Sequence, residues 1–190
     1  MKTFISLSAL FLSLSLTAQT NPATWYLNDS NGSGIQSDTN TASGTYSTAM
    51  GRVTTASGSY STAMGYNSEA SGAASTAMGR GTIASGDNST AMGYNLEASG
   101  NYSTAMGIST TASGDYSTAM GSFTEASGGA STAMGWYTTA SGIGSTAMGY
   151  VTTASGNYST AIGRNTTASD YASTVIGLSL IHISEPTRLS

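Results

Sequence analysis

The sequence contains no cysteine and a single histidine, His182, which lies close to the C-terminus. No disulfide bond can therefore stabilise the chain. No cluster of His, Asp or Glu has the spacing of metal ligands, so we predict no bound metal and no cofactor. Serine is abundant, but no base accompanies it in the sequence, so we also predict that the chain has no catalytic residue and is not an enzyme.

Charged residues are also scarce, at 7% of the chain, and the formal net charge is −4. So few cations argue against nucleic acid or an anionic membrane surface as a partner. The only long apolar stretch covers residues 4–16, which is short and rich in serine for a membrane span. Because Lys2 precedes it and Leu16-Thr17-Ala18 offers a cleavage site, we predict a signal peptide at residues 1–18 and an exported protein.

The main feature of the remaining sequence is a repeat of 14 residues. Ala-Ser-Gly recurs at this spacing from Ala42 to Ala154, with an altered copy at Ala168, and Ser-Thr-Ala-Met-Gly lies between successive copies. A unit this short, repeated this often, is typical of a solenoid. We therefore predict an all-β solenoid of about ten coils over residues 41–177.

Two other interpretations of the repeat are a coiled coil and a disordered Ser/Thr-rich linker. Two glycines in most repeats would cost a helix about 2 kcal/mol per repeat, and no a/d apolar seam is present. A flexible linker would not need methionine and glycine at a constant register. In the solenoid, residues 61–64 and 67–70 are predicted strands, with Gly65 and Gly72 at the corners.

Alternation within Ser-Thr-Ala-Met-Gly places Thr62 and Met64 on one face and Ser61 and Ala63 on the other. We predict that the methionines point inward, because their column continues as the apolar Ile162 and Ile176. The alanines would then face outward and allow a second backbone to approach. The predicted subunit contact consists of Ala49, Ala63, Ala77, Ala91, Ala105, Ala119, Ala133 and Ala147.

Like charges avoid neighbouring coils, where they would lie about 4.8 Å apart. Residues of like charge occupy every second coil instead. This holds for three sets: Asp87 and Asp115; Arg52 and Arg80; and Glu69, Glu97 and Glu125. Duplication of a 28-residue unit is an alternative explanation of the alternation.

A column of arginine and aromatic residues follows the Ser-Thr-Ala-Met-Gly segments, interrupted by Ile108 and Ser122. Such residues are enriched at recognition surfaces, so the column is a candidate ligand-binding strip; the alternative is that these are variable corner residues. The candidates are Arg52, Tyr66, Arg80, Tyr94, Trp136, Tyr150 and Arg164. A second column is predicted to stack its rings between coils: Tyr46, Tyr60, Tyr102, Tyr116 and Tyr158.

The pattern Ala-Ser-Gly-x-x-Ser-Thr-Ala-Met-Gly, as at residues 56–65, resembles the head repeat of YadA-like trimeric autotransporter adhesins. This resemblance implies a left-handed parallel β-roll, association into a homotrimer, and binding of host matrix proteins or cell surfaces. The sequence differs from the family at Thr48 and its equivalents, where an aliphatic residue is more usual. The family's neck, stalk and barrel have no counterpart here, so membrane attachment is expected only through a missing C-terminal region.

The two ends of the chain depart from the repeat. Residues 19–40 form a leader in which Trp25, Tyr26 and Leu27 are predicted to cap the open edge of the first coil; a disordered leader is the alternative. Residues 178–190 include LSLIHISEPTR, which resembles one reading frame of a transposase adapter used for sequencing libraries. We expect this tail to derive from such an adapter, the alternative being a genuine tail.

Together these features favour an adhesin head, secreted or displayed at the cell surface or outer membrane, that binds an extracellular protein or glycan multivalently. One rival is an ice-binding solenoid, in which pairs such as Thr54-Thr55 and Thr110-Thr111 would form a flat array, although Glu69 and its equivalents interrupt it. Another is a structural spacer or phage-type fibre head without a ligand of its own.

Overall fold

The computed structural model describes residues 26–27, 35–36 and 39–178. The predicted signal peptide at 1–18, most of the leader including Trp25, and residues 179–190 of the predicted tail, including His182, lie outside the described residues. The described residues form strands and turns only, so they contain no helix that could cross a membrane.

Each coil contributes one long and one short strand, and the strands are numbered here in chain order. Two short strands come first: β1 (Tyr26–Leu27) and β2 (Ile35–Gln36). The long strands are β4 (Thr48–Arg52), β6 (Thr62–Tyr66), β8 (Thr76–Arg80), β10 (Thr90–Tyr94), β12 (Thr104–Ile108), β14 (Thr118–Ser122), β16 (Thr132–Trp136), β18 (Thr146–Tyr150), β20 (Thr160–Arg164) and β22 (Thr174–Leu178). The short strands are β3 (Thr41–Ala42), β5 (Thr55–Ala56), β7 (Glu69–Ala70), β9 (Ile83–Ala84), β11 (Glu97–Ala98), β13 (Thr111–Ala112), β15 (Glu125–Ala126), β17 (Thr139–Ala140), β19 (Thr153–Ala154) and β21 (Thr167–Ala168).

The predicted solenoid is confirmed. The long strands form one parallel sheet, and the short strands form a second, ten-stranded parallel sheet. Within both sheets, each strand residue pairs with its equivalent in the next coil, as Met92 does with Met106. Hydrogen bonds between coils complete the ladder, for example from the Thr90 N–H to the Ser103 carbonyl at 2.9 Å. The 14-residue period is therefore the register of the stack.

The leader adds two strands to the first edge of the long sheet. β1 pairs antiparallel with β2, and Ile35 of β2 pairs parallel with Thr48 of β4. These strands extend the ladder beyond the first coil, where an open edge would otherwise expose unpaired backbone groups.

The prediction that methionines fill the coil and alanines face outward is wrong. Both alanine columns lie between the two sheets with no exposed surface, while the methionine and threonine side chains of the long strands lie on the outer face. The space between the sheets is narrow, and Leu96 is its largest fully buried side chain. The alanines proposed as a subunit contact are covered by their own chain and are out of a partner's reach: Ala49, Ala63, Ala77, Ala91, Ala105, Ala119, Ala133 and Ala147.

Serine and threonine complete this interior. Ser103 and Thr110, with most of their equivalents in other coils, are buried, and their hydroxyls have no hydrogen-bond partner within the described part of the chain. Ser68 differs, because its hydroxyl donates to the carbonyls of Met64 and Gly79 at 3.2 and 3.1 Å. The core therefore depends on close packing of small groups more than on side-chain hydrogen bonds.

The repeated glycines lie at or beside the corners, as predicted: the Ser75 N–H bonds to the Gly72 carbonyl at 3.2 Å across one turn, and Gly65, with φ 115°, precedes the other by two residues. Two further columns without repeated glycines also have left-handed backbone angles, for example at Asn95 (φ 54°) and Tyr102 (φ 58°). The N–H groups of these residues bond to the carbonyls of Arg80 and Asp87 on the preceding coil, both at 2.8 Å. The glycines serve close approach between coils, because a Cβ on Gly100 would collide with the carbonyl of the equivalent glycine in the next coil.

Candidate binding surface

The predicted binding strip lies at the ends of the long strands, where it forms two separate runs of exposed side chains. In the first, the Arg80 guanidinium carbon lies 5.7 Å from the ring centroid of Tyr66 and 5.5 Å from that of Tyr94. Arg52 lies 5.5 Å from the other side of Tyr66. These contacts hold Arg80 between two rings and Arg52 against one, and they order the surface before any ligand binds.

The second run contains Trp136, Tyr150 and Arg164, separated from the first by Ile108 and Ser122. The Trp136 and Tyr150 rings stack at 4.5 Å, and Arg164 lies 5.3 Å from the Tyr150 centroid. The structure therefore brings all seven predicted residues to one edge of the solenoid but divides them into two groups.

The adjacent corner column enlarges the second run with two residues that the sequence analysis did not select. Tyr137 packs edge-on against Trp136 at 4.2 Å and stacks on Phe123 at 4.7 Å. Phe123, Trp136, Tyr137 and Tyr150, called the aromatic cluster below, are each 40 to 46% exposed. The signal is present in the sequence, since Trp136 and Tyr137 are adjacent, but Phe123 and Tyr137 belong to neither of the two columns considered there.

The same corner column contains a gap at Gly81, between Asn67 and Asn95 on the flanking coils. A hollow of about 180 Å³ opens there, lined by Tyr66, Asn67, Arg80, Gly81, Tyr94 and Asn95. A second hollow, of about 250 Å³, continues around the corner and is lined by Val53, Thr55, Asn67, Ser68, Glu69, Gly81, Ile83 and Asn95. Both share Asn67, Gly81 and Asn95. Sequence analysis missed this site, although Gly81 is the only glycine in its column.

The predicted separation of like charges is confirmed by the register. Glu97 pairs with Ile83 on one side and Thr111 on the other, and Glu125 lies between Thr111 and Thr139. No two glutamates of the described coils are therefore direct neighbours in this column.

The predicted tyrosine stacking is confirmed for the two pairs on consecutive coils. Tyr46 and Tyr60 stack at 5.3 Å, and Tyr102 and Tyr116 stack at 5.0 Å with nearly parallel rings. Tyr158 has no tyrosine in its own column on the coils beside it and instead meets Tyr171 edge-on at 5.6 Å.

The threonine pairs do not form the flat array that ice binding would require. Thr54 and Thr110 point into the coil, where they are almost completely buried, whereas Thr55 and Thr111 lie on the outer face of the short strands. One member of each pair is thus withdrawn from the surface.

The outer face of the long sheet carries a different regular array, called the Thr/Met face below. Each long strand exposes one threonine and one methionine or isoleucine in part, and no charged residue occurs in either column. Neighbouring coils cover these side chains incompletely, so the array remains a partly exposed, uncharged surface of methionine and threonine along the solenoid. Elsewhere in the described coils, no three His, Asp or Glu side chains converge on a point that could hold a metal ion.

Comparison with known families agrees with this geometry. The model of the YadA head domain repeat matches in five consecutive segments: residues 42–68, 70–95, 98–124, 126–152 and 154–179. The comparison with curated proteins finds no match. Since the matched segments cover most of the chain and coincide with the stacked coils, the chain belongs to the YadA head domain family.

Proposed function

We propose that the chain is the head of an exported adhesin, that three copies associate through the Thr/Met face, and that the assembled head binds an extracellular protein or glycan through repeated surface contacts. Membership of an adhesin-type head family and the signal peptide predicted at residues 1–18 support surface display. The observation that carries the proposal is the Thr/Met face itself.

The Thr/Met face runs the length of the long sheet, over ten coils at about 4.8 Å each. An uncharged surface of this extent, rich in methionine side chains and threonine methyl groups, is uncommon on a protein that functions as a monomer. A second and third copy are the occupants that fit, because every coil presents the same pair of side chains and identical surfaces can then pack around one axis. The head family's trimeric assembly agrees with this choice.

Adhesion itself is assigned to the exposed edge of the solenoid. The aromatic cluster offers large, rigid groups that lose little conformational entropy on binding, and such residues dominate binding energy at protein interfaces. In a trimer the cluster is presented three times, so weak contacts with a repetitive ligand add to a strong overall attachment. A spacer without a ligand would not need this exposed cluster.

Assembly is tested by measuring the mass of the purified chain by sedimentation equilibrium. We expect a trimer, and we expect Met148→Glu to shift the mass towards the monomer because it would bury three carboxylates near the axis. Thr153→Glu, on the short sheet of the same coil, is the matched control, since that column already contains Glu69, Glu97 and Glu125. A monomeric unmodified chain would refute the assembly.

Adhesion is tested by binding of the trimer to immobilised collagen, fibronectin and laminin. We expect binding to at least one of them. The apparent affinity should fall at least a hundredfold for Trp136→Ala or for the dissociated Met148→Glu variant, because avidity needs both the aromatic cluster and three copies. Absence of binding to all three surfaces would favour the spacer interpretation.

A further inference from the structure

The hollow at Gly81 arises from a missing side chain in an otherwise regular corner. Gly81 has φ 64°, close to the 52° of Asn67 and the 54° of Asn95 in the same column. A Cβ at Gly81 would have no neighbour closer than 3.9 Å. Neither the backbone conformation nor packing within the chain therefore requires a glycine here, whereas the repeated glycines of each coil have no such freedom.

The walls of the hollow combine hydrogen-bonding groups of both kinds. Asn67 and Asn95 line the hollow on the coils either side of Gly81, with amides that both donate and accept. Arg80, held between Tyr66 and Tyr94, adds donors in a fixed position. Around the corner, the exposed Glu69 carboxylate adds acceptors beside the apolar Ile83. Glu97 lines a third hollow of about 160 Å³, which also shares Gly81, Ile83 and Asn95.

We propose that this hollow, called the Gly81 notch, binds a neutral sugar ring of an oligosaccharide. A pyranose ring presents hydroxyls that donate and accept together with apolar C–H faces, which matches amides, a guanidinium and carboxylates placed beside tyrosine rings and Ile83. An anionic sugar is disfavoured because Glu69 and Glu97, which line the two adjoining hollows, outnumber Arg80. This assignment rests on the proposed adhesin function and names a ligand class for one of its surfaces.

The notch is open and shallow, so a single site binds weakly, with a dissociation constant on the order of millimolar for a ligand of this size. It occurs once among the coils that the structure describes, so a trimer would carry three copies of this site. Useful attachment to a glycan-coated surface then arises from simultaneous occupation of several notches. The site is therefore suited to dense surface glycans more than to isolated sugars in solution.

The test uses saturation-transfer NMR on the purified chain with lactose and chitotriose as neutral probes and 3′-sialyllactose as the anionic comparison. We expect transfer to at least one neutral probe and weaker transfer to sialyllactose than to lactose. Gly81→Asn, which makes the column continuous with Asn67 and Asn95, is expected to weaken the neutral-sugar signal at least tenfold. Ser109→Asn, in the same column two coils further on, is the control and should leave the signal unchanged.

The oligomeric state and the circular dichroism spectrum of both variants should equal those of the unmodified chain, because asparagine already adopts this corner conformation at Asn67, Asn95 and Asn165. No transfer to either neutral probe, an undiminished signal in Gly81→Asn, or stronger transfer to sialyllactose would each overturn the proposal. Loss of collagen binding by Gly81→Asn without any sugar signal would identify the notch as a protein contact instead. None of these results depends on trimer mass, so the proposed assembly is judged separately.

Discussion

The backbone N–H of Asn101 donates a 2.8 Å hydrogen bond to Oδ1 of Asp115 on the next coil. The same link joins the Asp87 N–H to Asn101 Oδ1 at 3.1 Å and the Ala73 N–H to Asp87 Oδ1 at 2.9 Å. Each side chain thus satisfies a backbone donor that the strand ladder leaves free at this bend. The alternation of Asp87, Asn101 and Asp115 keeps the acceptor on three consecutive coils while separating the negative charges.

Replacing Asn101 by aspartate is expected to lower the stability of the solenoid. The Asn101→Asp variant retains the acceptor oxygen but places three carboxylates in consecutive coils, which should cost roughly 0.5–1 kcal/mol. Thermal melts at low and high salt measure the effect, since screening should restore most of the loss at 1 M salt. Asp115→Asn, which removes a charge and keeps the acceptor, should be neutral, and an equal loss in this variant would contradict the explanation.

The repeated glycines are expected to be far less replaceable than a glycine outside their columns. Gly107 has φ 121°, and a Cβ there would collide with the carbonyl of Gly121. Gly107→Ala should therefore cost at least about 2 kcal/mol. Gly129 has no atom within 4 Å of its Cβ position, so Gly129→Ala should be neutral or stabilise the chain by about 0.5 kcal/mol. Chemical denaturation of the two variants compares them, and similar stabilities would refute the steric account.

The sequence was sufficient for the solenoid, its register, the tyrosine pairs and the charge alternation, because all of these depend only on the period of the repeat. The inward face was not predictable in the same way. Alternation places Ala105 and Met106 on opposite faces of the strand, but it does not say which face lies in the narrow space between the two sheets. The distance between the sheets decides this, and it admits methyl and hydroxymethyl groups. The left-handed residues of the corners were not predicted, because positive φ angles were assigned to glycine alone, whereas Asn95 and Tyr102 also adopt them under the constraint of the hydrogen bonds between coils.

Removing a buried hydroxyl is expected to have opposite effects on the free energy of unfolding, depending on whether that hydroxyl is hydrogen-bonded. Thr110 Oγ1 is buried and has no hydrogen-bond partner among the described residues. Thr110→Val preserves the shape and removes an unsatisfied polar group, so it should raise the free energy of unfolding by about 1 kcal/mol. Ser68→Ala removes the bonds to the Met64 and Gly79 carbonyls and should lower it by about 1 kcal/mol. Calorimetry of both variants provides the comparison, and destabilisation by Thr110→Val would indicate that its hydroxyl is bonded in solution.

The assignment of the alanine and methionine faces predicts different tolerance at neighbouring positions of one strand. Ala105 is completely buried between Ala91 and Ala119 in register, so the larger side chain of Ala105→Leu would force the sheets apart. This overpacking should cost about 3 kcal/mol and lower the melting temperature markedly. Met106 lies on the outer face, where Met106→Leu conserves volume and should cost less than about 1.5 kcal/mol. If methionine filled the coil instead, Ala105→Leu would be tolerated as a surface change, so this outcome would overturn the arrangement on which the Thr/Met face depends.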